Sequence, residues 1–147
     1  MFLAERLHEE VYYYKDVIDN PSELVDMIEQ ADSNEALYPV IPKWAKWLSN
    51  SNDGHKFGGK KDFNPSAISL LDGEDKETAQ YIVDKIRGAV ASVANAYVED
   101  RNLGIVPNIS DYAGVCKYVE GCHMGAHFDA QSGDRSLKYS IVLYLND

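Results

Sequence analysis

The chain has 147 residues, of which 45% are apolar and 26% charged, and this balance predicts a single soluble globular domain. Its formal net charge of −10 repels phosphate backbones, so we expect no nucleic-acid partner. No apolar run approaches the roughly 20 residues of a membrane helix, so we expect no membrane span. The N-terminus is charged by Glu5, so we expect no signal peptide. Cys116 and Cys122 give no disulfide framework, which favours a cytoplasmic location.

The N-terminal part begins with a predicted strand and helix. Residues 11–18 are rich in β-forming side chains and indicate a strand. Asn20, Pro21 and Glu23 then provide the N-cap, the first-turn proline and the third-position acid of a helix start. This helix should end near Ala31, and its apolar face consists of Leu24, Val25 and Ile28.

Residues 32–66 contain three prolines and three glycines and are predicted to be rich in loops. Trp44 and Trp47 are expected to anchor this region to the body of the domain or to form a wall on the substrate side, and we favour anchoring. A basic, glycine-containing stretch in it is interpreted as a mobile surface loop; it contains Lys56, Gly58, Gly59, Lys60 and Lys61.

The longest predicted helix runs from Glu74 to about Asp100. Its apolar residues are three or four positions apart, which predicts one buried stripe made of Ala79, Ile82, Val83, Ile86, Val90, Val93 and Tyr97. The opposite face is charged and is predicted to be solvated; it carries Asp75, Lys76, Glu77, Lys85 and Arg87.

After Pro107 the apolar period changes from 3.6 to 2. Residues 110–119, 125–130 and 137–146 are predicted strands, with turns at 120–121 and 131–134. Helices therefore come first and strands later, which indicates an α+β fold with helices on one face of a sheet. Within one domain, 1–147, we distinguish a helical support region, 1–106, from the first core strands, 107–147.

Two of these strands present a mixed polar face that suits the inside of an open barrel holding a polar ligand. On the last strand Tyr139, Ile141, Leu143 and Leu145 share an apolar face, whereas the other face carries Lys138, Ser140, Val142, Tyr144 and Asn146. On the first strand Tyr112, Gly114, Cys116 and Tyr118 share one face.

His127 and Asp129 form the candidate metal site. Residues two apart in a strand share a face, so this imidazole and this carboxylate can chelate one divalent metal. With a second histidine they would complete the facial triad of non-haem Fe(II) oxygenases, which leaves coordination positions open. The pair alone is common in sequences, and its surroundings give it weight.

Those surroundings resemble the prolyl 4-hydroxylase-like group of 2-oxoglutarate-dependent oxygenases. The matching elements occur in one order over about 30 residues: Tyr118, Gly121, His127, Asp129, Arg135 and the strand end Tyr144-Leu145-Asn146. The preceding strand, helix, loop and long helix agree with that family's N-terminal portion without a sharp motif. The resemblance implies a double-stranded β-helix, or jelly-roll, core on which the N-terminal helices pack.

The resemblance also implies roles for individual residues. His127 and Asp129 match two Fe(II) ligands, and Tyr144 and Tyr118 match tyrosines of the 2-oxoglutarate pocket. The implied reaction couples 2-oxoglutarate decarboxylation to C–H hydroxylation of a peptidyl or small-molecule substrate by O2, with ascorbate as an optional further cofactor. Met124 would line the metal site, and Arg135 is expected to cap a turn.

The family's distal histidine and its 2-oxoglutarate-binding Arg or Lys follow the Tyr-Leu-Asn strand, and the sequence stops at Asp147. His8, His55 and His123 do not occupy the missing position. The predicted barrel is therefore incomplete, and we expect a longer protein, a second polypeptide or a partner subunit to supply the remaining strands.

Two other interpretations remain open. One is a degenerate, non-catalytic jelly roll that serves as a binding or structural module. The other is a zinc site formed by Cys116, Cys122, His123 and His127, although the cysteine spacing is wider than in zinc knuckles.

Overall fold

The computed structural model describes residues 4–31, 43–45, 59–109, 113–122 and 139–146. Within them it places four strands and three helices. In chain order these are β1 (Ala4–Arg6), β2 (Tyr12–Tyr14), α1 (Pro21–Gln30), β3 (Gly59–Phe63), α2 (Pro65–Ile68), α3 (Gly73–Asp100) and β4 (Ala113–Lys117).

The chain starts with a short antiparallel hairpin of β1 and β2, in which Ala4 lies opposite Tyr14 and Arg6 opposite Tyr12. The strand predicted over residues 11–18 is thus present but shorter. Asp16 explains where it stops, because its φ of 55° lies in the left-handed region that an extended strand does not use. The pairing strand β1 was not predicted.

Helix α1 confirms the predicted apolar face at Leu24 and Ile28, which are only 3% and 2% exposed, whereas Val25 is half-buried. The helix ends at Gln30, one residue before the predicted limit. Asn20 does occupy the N-cap, but its φ is 53° and its side chain makes no capping hydrogen bond. The same Asn-Pro-Ser sequence before α2 behaves as expected, because the Asn64 side chain accepts a hydrogen bond from the Ser66 N–H at 3.0 Å.

The prediction of a mobile surface loop around Gly59, Lys60 and Lys61 is wrong, because these residues belong to strand β3. Their backbone pairs with β4, with Lys61 opposite Val115, and Lys60 also exchanges two hydrogen bonds with Ala45. Gly59, Lys61 and Phe63 point inward on alternate positions. Lys61 is completely buried, so a basic side chain belongs to the interior of this sheet. Lys56 and Gly58 lie outside the described residues.

Helix α3 confirms the longest predicted helix to within one residue. The predicted stripe is buried at Ala79, Ile82, Val83 and Ile86, and becomes half-buried towards the C-terminal end at Val90, Val93 and Tyr97. Two small residues missed by the prediction, Ala89 and Ala94, are also buried. The predicted solvated face is exposed or half-exposed.

Of the three strands predicted after Pro107, the first is present as β4, shortened to Ala113–Lys117, and a turn follows at Glu120 and Gly121. The second, 125–130, lies outside the described residues. The prediction of the third strand is wrong over residues 139–146, because these residues are not in a strand. A strand needs a hydrogen-bonding neighbour, and no described strand pairs with this segment.

The described sheets are two antiparallel pairs, β1–β2 and β3–β4. The second pair crosses the boundary predicted at residue 106, because β3 precedes it and β4 follows it. A jelly-roll core remains a prediction from the sequence.

Within the described residues, none of the helices combines the length and the apolar character needed to span a bilayer.

One hydrophobic core lies where α1, α2 and α3 meet the β3–β4 pair. It contains Leu24, Ile28, Phe63, Ile68, Leu71, Ala79, Ile82, Val83 and Ile86. Trp44 packs against this core, which confirms its predicted anchoring role, and Trp47 lies outside the described residues. The Trp44 ring lies so close to Gly59 that a Cβ there would come within 3.1 Å of it.

Candidate functional site

The predicted metal ligands His127 and Asp129 lie outside the described residues, as do Met124 and Arg135. The geometry of the candidate site is therefore that of its two predicted tyrosines. Tyr118 and Tyr144 lie at the ends of β4 and of the segment 139–146, on parts of the chain that the structure does describe.

Tyr118 directly follows β4 and is 47% exposed. It continues the alternation of that strand, in which Gly114 and Cys116 are exposed and Val115 and Lys117 are half-buried. The predicted sharing of one face is thereby confirmed for Gly114, Cys116 and Tyr118, and Tyr112 lies outside the described residues. Partial burial, followed by the neighbouring Cys116 and Tyr144, raises the pKa of the Tyr118 phenol.

Tyr144 is 78% exposed. The segment keeps the predicted alternation only over residues 142–146, where Val142, Tyr144 and Asn146 are exposed and Leu143 and Leu145 are half-buried. The other two members of the predicted apolar face, Tyr139 and Ile141, are exposed. Leu145 packs against the hydrophobic core. The tyrosine therefore projects outward from a backbone whose next residue is anchored.

Tyr118 and Tyr144 are near enough for Tyr144 to influence the ionisation of Tyr118. They are separated by 26 positions in the sequence (144 minus 118). The fold thus brings together the two tyrosines that the sequence assigns to one pocket. The exposure of both phenols makes this an open arrangement that a polar ligand can reach.

Four side chains that the sequence interpretation did not group together support β4 from behind. Lys117 forms a 2.7 Å salt bridge with Glu29, and the Trp44 indole N–H donates a 3.2 Å hydrogen bond to the other carboxylate oxygen. The Lys61 and Lys117 ammonium groups lie 4.8 and 5.4 Å from the Trp44 ring centroid. These contacts attach the C-terminal end of α1 to β4, the strand that Tyr118 directly follows.

The sequence contained one signal for this cluster, the aromatic anchor Trp44. The lysines carried none, because a Gly-Lys-Lys-Asp sequence is usually solvated. Lys61 is placed by tertiary contacts alone: its Nζ donates a 2.7 Å hydrogen bond to the Ile28 carbonyl, 33 residues away.

The alternative zinc site gains no support from the described cysteines. Cys116 is exposed in β4 and Cys122 is half-buried after a turn, and both are free thiols. Desolvation raises the pKa of the Cys116 thiol, which disfavours the thiolate that zinc binds. Within the described ranges, no three His, Cys, Asp or Glu side chains are grouped so that they could hold a metal. His123 and His127 lie outside those ranges.

Comparison with known proteins adds no relative to this description. The chain matches no protein-family model, no curated protein and no solved structure.

Proposed function

We propose that this chain is an Fe(II)- and 2-oxoglutarate-dependent hydroxylase of the prolyl 4-hydroxylase-like type, or the N-terminal part of one. The observation that carries the proposal is the sequence motif from Tyr118 to Asn146, and the electrostatic influence of Tyr144 on Tyr118 supports it. The sequence motif assigns both to one co-substrate pocket from positions far apart in the chain. Their proximity is what such a pocket requires.

In this proposal the Tyr144 hydroxyl helps to hold the distal carboxylate of 2-oxoglutarate, and Tyr118 lines the same pocket. A neutral phenol donates a hydrogen bond to a carboxylate, whereas a phenolate repels it. An ordinary phenol is already protonated near pH 7, and burial raises the pKa of Tyr118 further above its usual value of 10.0. Such a bond to an ionised partner is about twice as strong as one between neutral groups.

His127 and Asp129 are the proposed metal ligands. One imidazole nitrogen and one carboxylate oxygen suit Fe(II), which supplies the oxidation chemistry when bound. These two residues hold the metal, and the tyrosines orient the co-substrate beside it. The third ligand and a basic 2-oxoglutarate partner are proposed to come from further residues or a partner chain, and the substrate is proposed to be a peptidyl side chain or a small molecule. We propose the cytoplasm as the compartment.

A non-catalytic binding module is the second candidate function. The observation favouring it is the exposure of the two tyrosines, 47% for Tyr118 and 78% for Tyr144. A hydroxylase must exclude water from its oxidation step, and an open site does so less well.

Anaerobic titration with Fe(II) tests the proposal. Wild type, His127→Ala and Asp129→Ala are compared by calorimetry, with His8→Ala as the matched control because His8 lies in the β1–β2 turn. Loss of an outer-shell partner already costs about 10–100-fold in metal affinity, so loss of a ligand should cost at least about tenfold. Equal affinity in all four proteins would contradict the metal assignment. Iron binding without 2-oxoglutarate binding would favour the non-catalytic module.

A further inference from the structure

The β1–β2 hairpin is attached to the C-terminal end of α3 by contacts between residues far apart in the chain. The Tyr14 hydroxyl donates a 2.9 Å hydrogen bond to Asp100 Oδ2. The Tyr97 hydroxyl donates to the Glu10 carbonyl at 3.1 Å, and Arg101 donates to the Glu9 carbonyl at 2.9 Å. These bonds are made to the hairpin backbone as well as to side chains, so they fix where the hairpin lies on α3.

Aromatic contacts continue from the hairpin through α3 to the C-terminal segment. The Tyr12 ring meets the Tyr97 ring edge-on, with centroids 5.4 Å apart and planes at 90°. Tyr97 in turn meets Tyr139, with centroids 5.3 Å apart and planes at 59°. Both pairs fall in the separation range that aromatic side chains favour. Tyr97 therefore lies between the hairpin and the segment 139–146.

Packing contributes to the position of the segment 139–146. Among the described strands none pairs with it. Tyr139 packs at its beginning and Leu145 packs on the hydrophobic core near its end. Tyr144 is the neighbour of Leu145, and its direction follows from how this backbone is held.

We propose that Tyr97 is a positioning residue that orders the segment 139–146, and that Tyr12 acts on the segment through it. The hairpin stabilises the segment indirectly. Its contacts with α3 hold the Tyr97 ring in place, and Tyr139 packs against that ring. The ordering of the segment is independent of the chain's activity. Its consequence for the 2-oxoglutarate pocket, through the direction of Tyr144, rests on the proposed function.

The test is ¹⁵N relaxation NMR of residues 140–145 in wild type and three variants. Tyr97→Leu removes the ring, Tyr97→Phe keeps it without the hydroxyl, and Tyr81→Leu makes the same change at an exposed position of α3 outside the cluster. We expect order parameters near the rigid value of about 0.85 in wild type, below about 0.6 in Tyr97→Leu, and close to wild type in the other two. Recovery with phenylalanine separates ring packing from the hydrogen bond to Glu10.

Tyr12→Leu, on the hairpin, removes the ring that packs against Tyr97. It replaces Tyr97→Leu if that variant does not fold. It should lower the same order parameters while the amide spectrum of α3 stays folded. The proposal is overturned if the segment already has order parameters below about 0.6 in wild type, or if Tyr97→Leu and Tyr12→Leu leave it as rigid as Tyr81→Leu does. Titrating the same samples with 2-oxoglutarate keeps the two claims apart, since absence of binding in wild type would count against the proposed function and leave the ordering result standing.

Discussion

Lys61 and Ile28 form a buried cap at the C-terminal end of α1, in which the Lys61 ammonium donates a 2.7 Å hydrogen bond to the Ile28 carbonyl. This carbonyl belongs to the last turn of α1, which has no basic residue of its own. The last four carbonyls of a helix lack partners within it and carry partial negative charge. A lysine from strand β3 therefore satisfies one of them.

We predict that Lys61→Met destabilises the protein by about 1–3 kcal/mol, because it leaves the buried Ile28 carbonyl without this donor. The matched control is Lys60→Met, the same change one residue earlier on β3, where the ion pair with Asp62 is solvent-accessible. That change should cost less than about 1 kcal/mol. Urea unfolding measures both. A smaller loss for Lys61→Met than for Lys60→Met would contradict the capping role.

The Glu29–Lys117 pair predicts a specific loss of stability in acid. The hydrogen bond from Lys117 is the main cause that lowers the pKa of Glu29, burial opposes it, and the Trp44 indole assists it. A lowered folded-state pKa gives stabilisation that is present above the unfolded pKa, near 4.5, and is lost as the pH falls through the folded value.

Glu29→Gln should therefore destabilise the protein at about pH 7, and should do so less at an acidic pH below about 4.5. Since both side chains are partly exposed, we expect about 0.5–1 kcal/mol at neutral pH. Glu77→Gln, on the exposed face of α3, is the control. Urea unfolding at the two pH values checks the prediction, which fails if the loss in Glu29→Gln is the same at both.

The Tyr14–Asp100 contact predicts an effect at alkaline pH. Burial, followed by the hydrogen bond to the Asp100 carboxylate, raises the pKa of the Tyr14 phenol well above its usual value of 10.0. A raised folded-state pKa gives stabilisation that is complete below the unfolded pKa and is lost as the pH rises towards the folded value.

Tyr14→Phe should accordingly cost about 1 kcal/mol at neutral pH, and the difference from wild type should shrink above about pH 10. Tyr13→Phe is the control, because Tyr13 is on the outer side of the hairpin and 45% exposed. Denaturant unfolding across the alkaline range provides the measurement. A constant difference between wild type and Tyr14→Phe would show that the hydroxyl does not make this bond.

The sequence predicted best the elements whose packing follows from a local repeat. In α3 the spacing of three and four fixed both the helix and its buried stripe, from Ala79 to Tyr97. The missed residues Ala89 and Ala94 are small and carry a weak apolar signal. In α1, likewise, the helical spacing of Leu24 and Ile28 predicted the buried face.

Elements that depend on distant partners could not be predicted in this way. Strand β3 is polar in sequence, and it forms because β4 pairs with it and because Ile28 and Trp44 accommodate Lys61. Conversely, residues 139–146 have a strand-like pattern without a described pairing partner. For the candidate site, the metal ligands rest on the motif, and the structure adds the proximity of Tyr118 and Tyr144.

Tyr144→Phe should weaken 2-oxoglutarate binding without destabilising the fold, because the side chain is 78% exposed. A hydrogen bond to a charged group contributes about 1.5–3 kcal/mol, so the dissociation constant should rise roughly tenfold or more. Tyr81→Phe, which removes a hydroxyl from the surface of α3, is the control. Calorimetry with Fe(II) present measures the affinity, and unchanged binding in Tyr144→Phe would remove this tyrosine from the pocket.

The central claim is that His127 and Asp129 bind a metal beside Tyr118 and Tyr144, and paramagnetic NMR with Mn²⁺ tests it most directly. Carboxylate oxygens suit Mn²⁺ well, and its unpaired electrons broaden nearby amide signals. We predict broadening centred on residues 127 and 129 that extends to Tyr118 and Tyr144 and disappears in His127→Ala. Broadening spread over the acidic surface of this −10 chain, unchanged by His127→Ala, would contradict the account.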